Sequence, residues 1–318
     1  MTRAFVFPGQ GSQAVGMGRE LAEAFEVARL TFEEVDDALN QRLSRLMFEG
    51  PEADLTLTEN AQPALMAVSV AVMRVLKDQG GLDLAKHAAF VAGHSLGEYS
   101  ALCAAGAFTL ADTARLLKLR GQAMQKAVPV GQGAMAALLG AELEQAQAIA
   151  ADAAKTPTGQ SEVCTVANDN SSGQVVISGH AEAIERAIVI AAERGLKRTV
   201  RLPVSAPFHC PLMQPAADAM AEALAAVTIN APAVPVVANV TASAVSDPNE
   251  IRRLLVEQVT GMVRWRESVL YMKEQGVDTL VELGSGKVLS GLAKRIDKEM
   301  AGTSVQGPAD VESFLKTL

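Results

Sequence analysis

The sequence predicts an α/β protein: a mainly parallel sheet with helices on both faces, carrying an inserted small ferredoxin-like α+β domain. Three observations predict this. Short apolar runs of strand length alternate with longer helical patterns, which implies parallel strands joined by helical crossovers. The stretch from about 128 to 200 breaks that rhythm and reads β-α-β-β-α-β, the split βαβ arrangement. Ala and Val are abundant while aromatics make up only 4% of the 318 residues, a composition suited to helices packed on a sheet through small aliphatic side chains.

Each element has its own signal. Ala4-Phe5-Val6-Phe7 reads as a buried strand closed by Pro8-Gly9. Helical patterning runs from about Arg19 to Asn40 and again from Asn60 to Asp78, with Leu65, Val68 and Val72 at apolar positions. Ala88 to Val91 is a second buried strand, a helix begins after Ser95, and Ala111 to Lys126 is an amphipathic helix. The inserted unit then reads strand 133–139, helix 141–154, strands 163–167 and 174–178, helix 182–193 and strand 198–202. The larger fold resumes with a helix over 210–226, a strand over 234–239, a helix over 249–258, a strand over 278–283 and a helix from Lys287. The resulting division is a large α/β hydrolase-like catalytic domain, 1–127 and 201–318, and a small ferredoxin-like domain, 128–200.

Composition narrows the function classes. A formal charge of -8 argues against a nucleic-acid surface, which needs a positive field. Cys103, Cys164 and Cys210 are odd in number and lack CxxC spacing, so reduced thiols in a cytoplasmic protein are expected. Only a few apolar residues separate Arg3 from Pro8-Gly9, too few for a signal-peptide core. No apolar run approaches the length of a membrane span, so no membrane partner is expected. Asn170-Ser171-Ser172 and Asn239-Val240-Thr241 fit the glycosylation pattern, and without a secretory signal both are read as coincidence.

Gly93-His94-Ser95-Leu96-Gly97 carries the most chemistry. It matches G-x-S-x-G between a predicted strand and a predicted helix, where a tight turn lifts a serine hydroxyl off the sheet toward a helix N-terminus. A serine needs a base to become nucleophilic. Of the four histidines, His94 adjoins the serine and points away from it, His87 and His180 stand at element boundaries, and His209 lies on a loop able to return to the same end of the sheet. His209 is therefore the candidate base.

Pro8-Gly9-Gln10-Gly11-Ser12-Gln13-Ala14 has the outline of a dinucleotide fingerprint, but no second strand ending in an acidic residue follows. It reads better as a loop beside the serine, in which Gln10 or a backbone N–H faces a developing oxyanion. Arg120 stands among apolar neighbours on its helix. If it points inward, a substrate carboxylate is its natural partner; if outward, it is a surface ion-pair residue. Neither a cofactor nor a metal is expected.

In order along the chain, Phe7-Pro8-Gly9-Gln10-Gly11-Ser12-Gln13, Gly93-His94-Ser95-Leu96-Gly97-Glu98-Tyr99, the Arg120 helix and Ser205-Ala206-Pro207-Phe208-His209 strongly resemble the malonyl-CoA:acyl carrier protein transacylases of type II fatty-acid synthesis. Glu282-Leu283-Gly284-Ser285-Gly286-Lys287-Val288-Leu289 resembles that family's C-terminal signature, so the likeness spans essentially the whole chain. The resemblance implies Ser95 as nucleophile, His209 as its base, Gln10 and the Leu96 N–H as the oxyanion hole, and Arg120 as the grip on the malonyl carboxylate. It also implies that Gln258 orients the histidine through its backbone carbonyl. Where family members often carry Asn-Pro after this glutamine, this chain has Thr260-Gly261-Met262.

The implied reaction is a two-step acyl transfer from malonyl-CoA, as substrate, to the phosphopantetheine thiol of acyl carrier protein, by a monomer. A serine thioesterase on an α/β-hydrolase fold shares the elbow but leaves the Gln10 loop, the inserted unit and Arg120 without a task. A carrier-protein binding module without activity leaves the set of Ser95, His209, Arg120 and Gln10 unexplained. A polyketide-pathway acyltransferase using malonyl or methylmalonyl units has the same site, and a free-standing chain without linkers leans toward fatty-acid synthesis.

Overall fold

The computed structural model describes residues 1–318. Ten strands form two sheets: β1 (Arg3–Phe7), β2 (Phe90–Gly93), β3 (Gly133–Leu139), β4 (Cys164–Ser171), β5 (Gln174–His180), β6 (Arg198–Arg201), β7 (Val236–Ala238), β8 (Ser243–Val245), β9 (Thr279–Leu283) and β10 (Ala301–Val305). The larger sheet has the order β10-β9-β1-β2-β7-β8 and is parallel except for β8, which runs antiparallel to β7.

The apolar run of β1 follows from its central place. Phe5 and Phe7 face one core, which includes Leu65, Val68 and Val72 of the helix Thr58–Gly80. Ala4 and Val6 face a second core with Trp265, Val269 and Leu289. Helices therefore cover both faces, and a strand buried on both sides has no place for a polar residue. From Ala61 to Met73 the helix Thr58–Gly80 is buried on every side, which explains why that stretch is apolar except for Gln62 and Ser69.

β3 to β6 form a separate antiparallel sheet of order β4-β5-β3-β6, with the helices Leu143–Ala153 and Ala181–Glu193 packed on one face. Alternation along β3 joins it to the rest: Ala134, Ala136 and Leu138 enter a small core of their own, while Met135 and Ala137 enter the large one.

Several boundaries differ from those read in sequence. The single helix expected over 19–40 is two, Arg19–Ala24 and Glu26–Leu39, because Phe25 is extended between them. The second strand begins at Phe90, two residues late, because Leu84–His87 forms a helical turn capped by Asp83. The helix expected from Cys210 starts at Gln214, after a short 3-10 turn over Pro211–Met213. β8, β10 and the helices Trp265–Glu274 and Pro308–Leu315 were not anticipated; β8 is three residues long, and β10 is an edge strand largely exposed and lacking an apolar pattern.

Candidate active site

The carboxyl ends of β1, β2 and β7 converge, and the loops leaving them carry Gln10, Ser95 and Asn239. Such a row of strand ends is where open α/β sheets gather their reacting groups. The turn after β2 is tight: a Cβ on Gly97 would lie 2.2 Å from the carbonyl oxygen of Phe7, and one on Gly9 would lie 2.8 Å from that of His94. Glycine at both places lets the Gln10 loop lie directly against the serine turn.

Ser95 Oγ lies 2.7 Å from His209 Nε2. The other ring nitrogen, Nδ1, is 2.9 Å from the carbonyl oxygen of Gln258 and 3.1 Å from that of Gly261. Both of those partners can only accept, so Nδ1 carries the proton and donates, and Nε2 presents its lone pair to the serine hydroxyl. This is the tautomer a general base needs, set by two carbonyls and no carboxylate. The second of these carbonyls, that of Gly261, lies within the Thr260-Gly261-Met262 stretch.

Arg120 is 1% exposed. Its Nη1 donates to Gln62 Oε1 at 2.8 Å, and its Nη2 donates to Gln258 Oε1 at 2.9 Å and to Ser95 Oγ at 3.2 Å. The guanidinium carbon stands 5.7 Å from the centre of the Tyr99 ring, within cation–π range. The arginine thus points inward, and no carboxylate touches it.

Gln10 lines the same cavity as Ser95, Leu96, Arg120 and His209, a space of about 300 Å³. Its side-chain amide donates to Thr58 Oγ1 at 3.3 Å. The backbone N–H groups of Gln10 and Leu96 have no partner within the protein, which leaves both free to donate to a ligand oxygen.

Comparison with known proteins fits this geometry. The acyl transferase domain family matches residues 4–305. The malonyl CoA-acyl carrier protein transacylase of Escherichia coli (strain K12) is 48% identical over 313 residues, covering 98% of each chain. The chain belongs to the acyl transferase family. Among solved structures, an acyl-carrier-protein-S-malonyltransferase from Bartonella henselae superimposes with a TM-score of 0.95 at 56% identity, over 100% of this chain and 99% of that one. A malonyl-transacylase solved in complex with its type II polyketide acyl carrier protein superimposes with a TM-score of 0.95 at 43% identity, over 100% of both chains.

Electrostatics in this acyl transferase are dominated by burial. Burial, reinforced by the Arg120 charge, pulls the His209 pKa down to about 3, so the ring is neutral at pH 7. Burial pushes Glu98 up to about 7, against the opposing pull of the Asn239 N–H, Gln258 and Arg120. His94 is also held below its ordinary value by burial, and its Nε2 pairs with Asn170 Oδ1 at 2.8 Å.

Three site residues escaped sequence reasoning. Asn239 accepts from the Ser95 N–H at 2.8 Å and donates through Nδ2 to the Gly93 carbonyl at 2.7 Å, bridging His94 on the entry to the serine turn. It is 1% exposed, so the glycosylation pattern around it is inert. Glu98 stands three residues after the nucleophile candidate in the same motif, and Gln62 has no distinguishing signal beyond being a polar residue in an apolar helix. His87 and His180 hold local backbone, His87 near Asp83 and His180 accepting from the Val163 N–H.

Proposed function

We propose that this acyl transferase moves a malonyl group from malonyl-CoA to the phosphopantetheine thiol of acyl carrier protein, in fatty-acid synthesis, through a malonyl-Ser95 intermediate. One observation carries the reading: a buried guanidinium with no carboxylate partner stands 3.2 Å from the hydroxyl that would be acylated. A buried cation left unpaired is costly, and an incoming carboxylate relieves that cost. In a malonyl ester the free carboxylate is separated from the reacting carbonyl by a single methylene, so only a short diacid places one group on Ser95 and the other on Arg120.

His209 Nε2 takes the Ser95 proton as Oγ forms its bond to the thioester carbonyl carbon. The oxygen of the tetrahedral intermediate is held by the N–H groups of Gln10 and Leu96, each such donor contributing about 3 kcal/mol. The C–S bond breaks, CoA leaves as the thiol with the proton from His209, and the ester remains on Ser95. In the second half the carrier thiol gives its proton to His209, its sulfur attacks the ester carbonyl, and Ser95 recovers the proton. Gln258 holds His209 through its carbonyl and Arg120 through its side chain. No cofactor enters these steps.

The proposed partners are malonyl-CoA and acyl carrier protein, and the proposed setting is a cytoplasmic monomer. No helix is long and apolar enough to cross a membrane. The test is to isolate the malonyl-enzyme free of CoA and divide it between buffer and holo acyl carrier protein. Rapid appearance of malonyl-carrier with slow hydrolysis supports a transferase. Hydrolysis as fast as transfer makes the chain a thioesterase, and no adduct at saturating malonyl-CoA makes it a binding module.

A further inference from the structure

Glu98 is a buried carboxylate in contact with the site, and the steps above assign it nothing. It is 2% exposed, and the Arg120 charge acts on it across the Gln258 amide, with no direct contact between the two. Its Oε2 accepts from the backbone N–H of Asn239 at 3.0 Å and from Gln258 Nε2 at 3.0 Å. A carboxylate kept in such a place without a cation against it calls for a task beyond filling space.

The Gln258 amide supplies that task. Its Nε2 faces three oxygens: Glu98 Oε2, the Ser95 carbonyl at 2.9 Å and Asn239 Oδ1 at 3.2 Å. Three acceptors on one side direct Oε1 to the other, where Arg120 Nη2 donates to it. Rotating the amide by half a turn would set oxygen against oxygen at Glu98 and NH2 against the guanidinium at Arg120. Of the three acceptors, Glu98 is the only carboxyl group, and in its ionised form it accepts the stronger, charge-assisted kind of hydrogen bond. Each of the three also has a second donor: the Glu98 N–H at the Ser95 carbonyl, the Ser95 N–H at Asn239 Oδ1 and the Asn239 N–H at Glu98 Oε2.

We propose that Glu98 is a positioning residue for malonyl selection: by holding Gln258 Nε2 it aims Gln258 Oε1 at Arg120 and so sets the guanidinium that grips the malonyl carboxylate. The inference rests on the function proposed above. Because Glu98 touches neither substrate nor Ser95 Oγ, its removal acts through Gln258 and falls more heavily on malonyl than on acetyl groups.

The experiment compares the malonyl-to-acetyl ratio of kcat/KM in wild type, Glu98→Met, Glu98→Gln, Gln258→Met and the Glu98→Met/Gln258→Met double variant, with circular dichroism as the check on folding. Methionine has a similar length and offers only a weak thioether acceptor, whereas glutamine keeps a carbonyl oxygen. Glu98→Met is expected to lower the ratio about 10-fold or more, Glu98→Gln to stay within about 3-fold of wild type, and the double variant to fall no further than Gln258→Met alone. A wild-type ratio in Glu98→Met, or additive losses in the double variant, overturns the inference. If Glu98→Met does not fold, Glu98→Gln decides: a kept ratio supports the inference and a collapsed one overturns it. A wild-type enzyme that does not distinguish malonyl from acetyl refutes the proposed function itself; a discriminating wild type with an unaffected Glu98→Met refutes only this inference.

Discussion

Ser95 and His209, whose Oγ and Nε2 lie 2.7 Å apart, share an uncommon backbone conformation: φ is +54° at Ser95 and +55° at His209. Neither is glycine, so each sits in the left-handed region at a cost of about 1–3 kcal/mol. The surroundings sustain both. Asn239 bonds the backbone leading into Ser95, at the Gly93 carbonyl and the Ser95 N–H, and the Gln258 and Gly261 carbonyls hold the His209 ring. Strain is thus concentrated at the two groups that must meet, and the residues that sustain it become targets for mutation.

Asn239→Ala removes the bridge between the Ser95 N–H and the Gly93 carbonyl in a site with little access to water. The expected loss is about 1–3 kcal/mol of stability. Acylation should slow by more than the unfolded fraction explains, because the turn that presents Oγ is no longer held. Urea denaturation with single-turnover acylation measures both, and wild-type values in both would remove Asn239 from the account.

Arg120→Ala should lower kcat/KM for malonyl-CoA by about 100-fold or more, while acetyl-CoA loses far less. Arg120→Lys should not restore malonyl preference. A single ammonium on a flexible stem cannot replace the planar fork that spans Gln62 and Gln258. Steady-state kinetics with both thioesters check this, and equal losses for the two would show that the arginine does not read the carboxylate.

The His209 base works when neutral, and its pKa is lowered from 6.5 to about 3 by burial and by Arg120. Protonation therefore begins far below the ordinary histidine value, and acylation should stay level as pH falls through 6.5. The folded protein binds fewer protons at this group than the unfolded chain between about 3 and 6.5, so the group also makes the fold less stable as pH falls through that window. Pre-steady-state acylation from pH 8 to 5, with ellipticity followed in parallel, separates the two effects. A half-maximal point near 6.5 in folded protein would contradict the assignment.

Glu98 has the opposite sign. Its folded pKa is raised from 4.5 to about 7, so its contribution is fully present below 4.5 and is lost as pH rises through 7. Glu98→Gln lacks this dependence. The melting temperature of wild type relative to Glu98→Gln should therefore improve as pH falls from 8 to 5, and a difference independent of pH would show that Glu98 titrates normally.

The sequence reveals most of what repeats or stands in a motif. β1 is legible because both its faces are buried, and β3 because its alternation is clean. The serine turn is legible because its geometry demands small residues at fixed spacing. Arg120 is ambiguous in sequence, since apolar neighbours on a helix do not say which way a long side chain turns; packing against Tyr99, Gln62 and Gln258 decides it. Asn239 is invisible because it serves through contacts with residues about 145 positions away. The Gln10 side chain bonds Thr58, a contact that depends on how the helix Thr58–Gly80 docks rather than on the loop's own residues.

The most direct test is intact-protein mass spectrometry after brief incubation with malonyl-CoA, followed by peptide mapping. Wild type should gain one malonyl group on the peptide containing Ser95, and Ser95→Ala should gain none. An adduct of the same mass in Ser95→Ala, or one mapping to any other residue, would contradict the account.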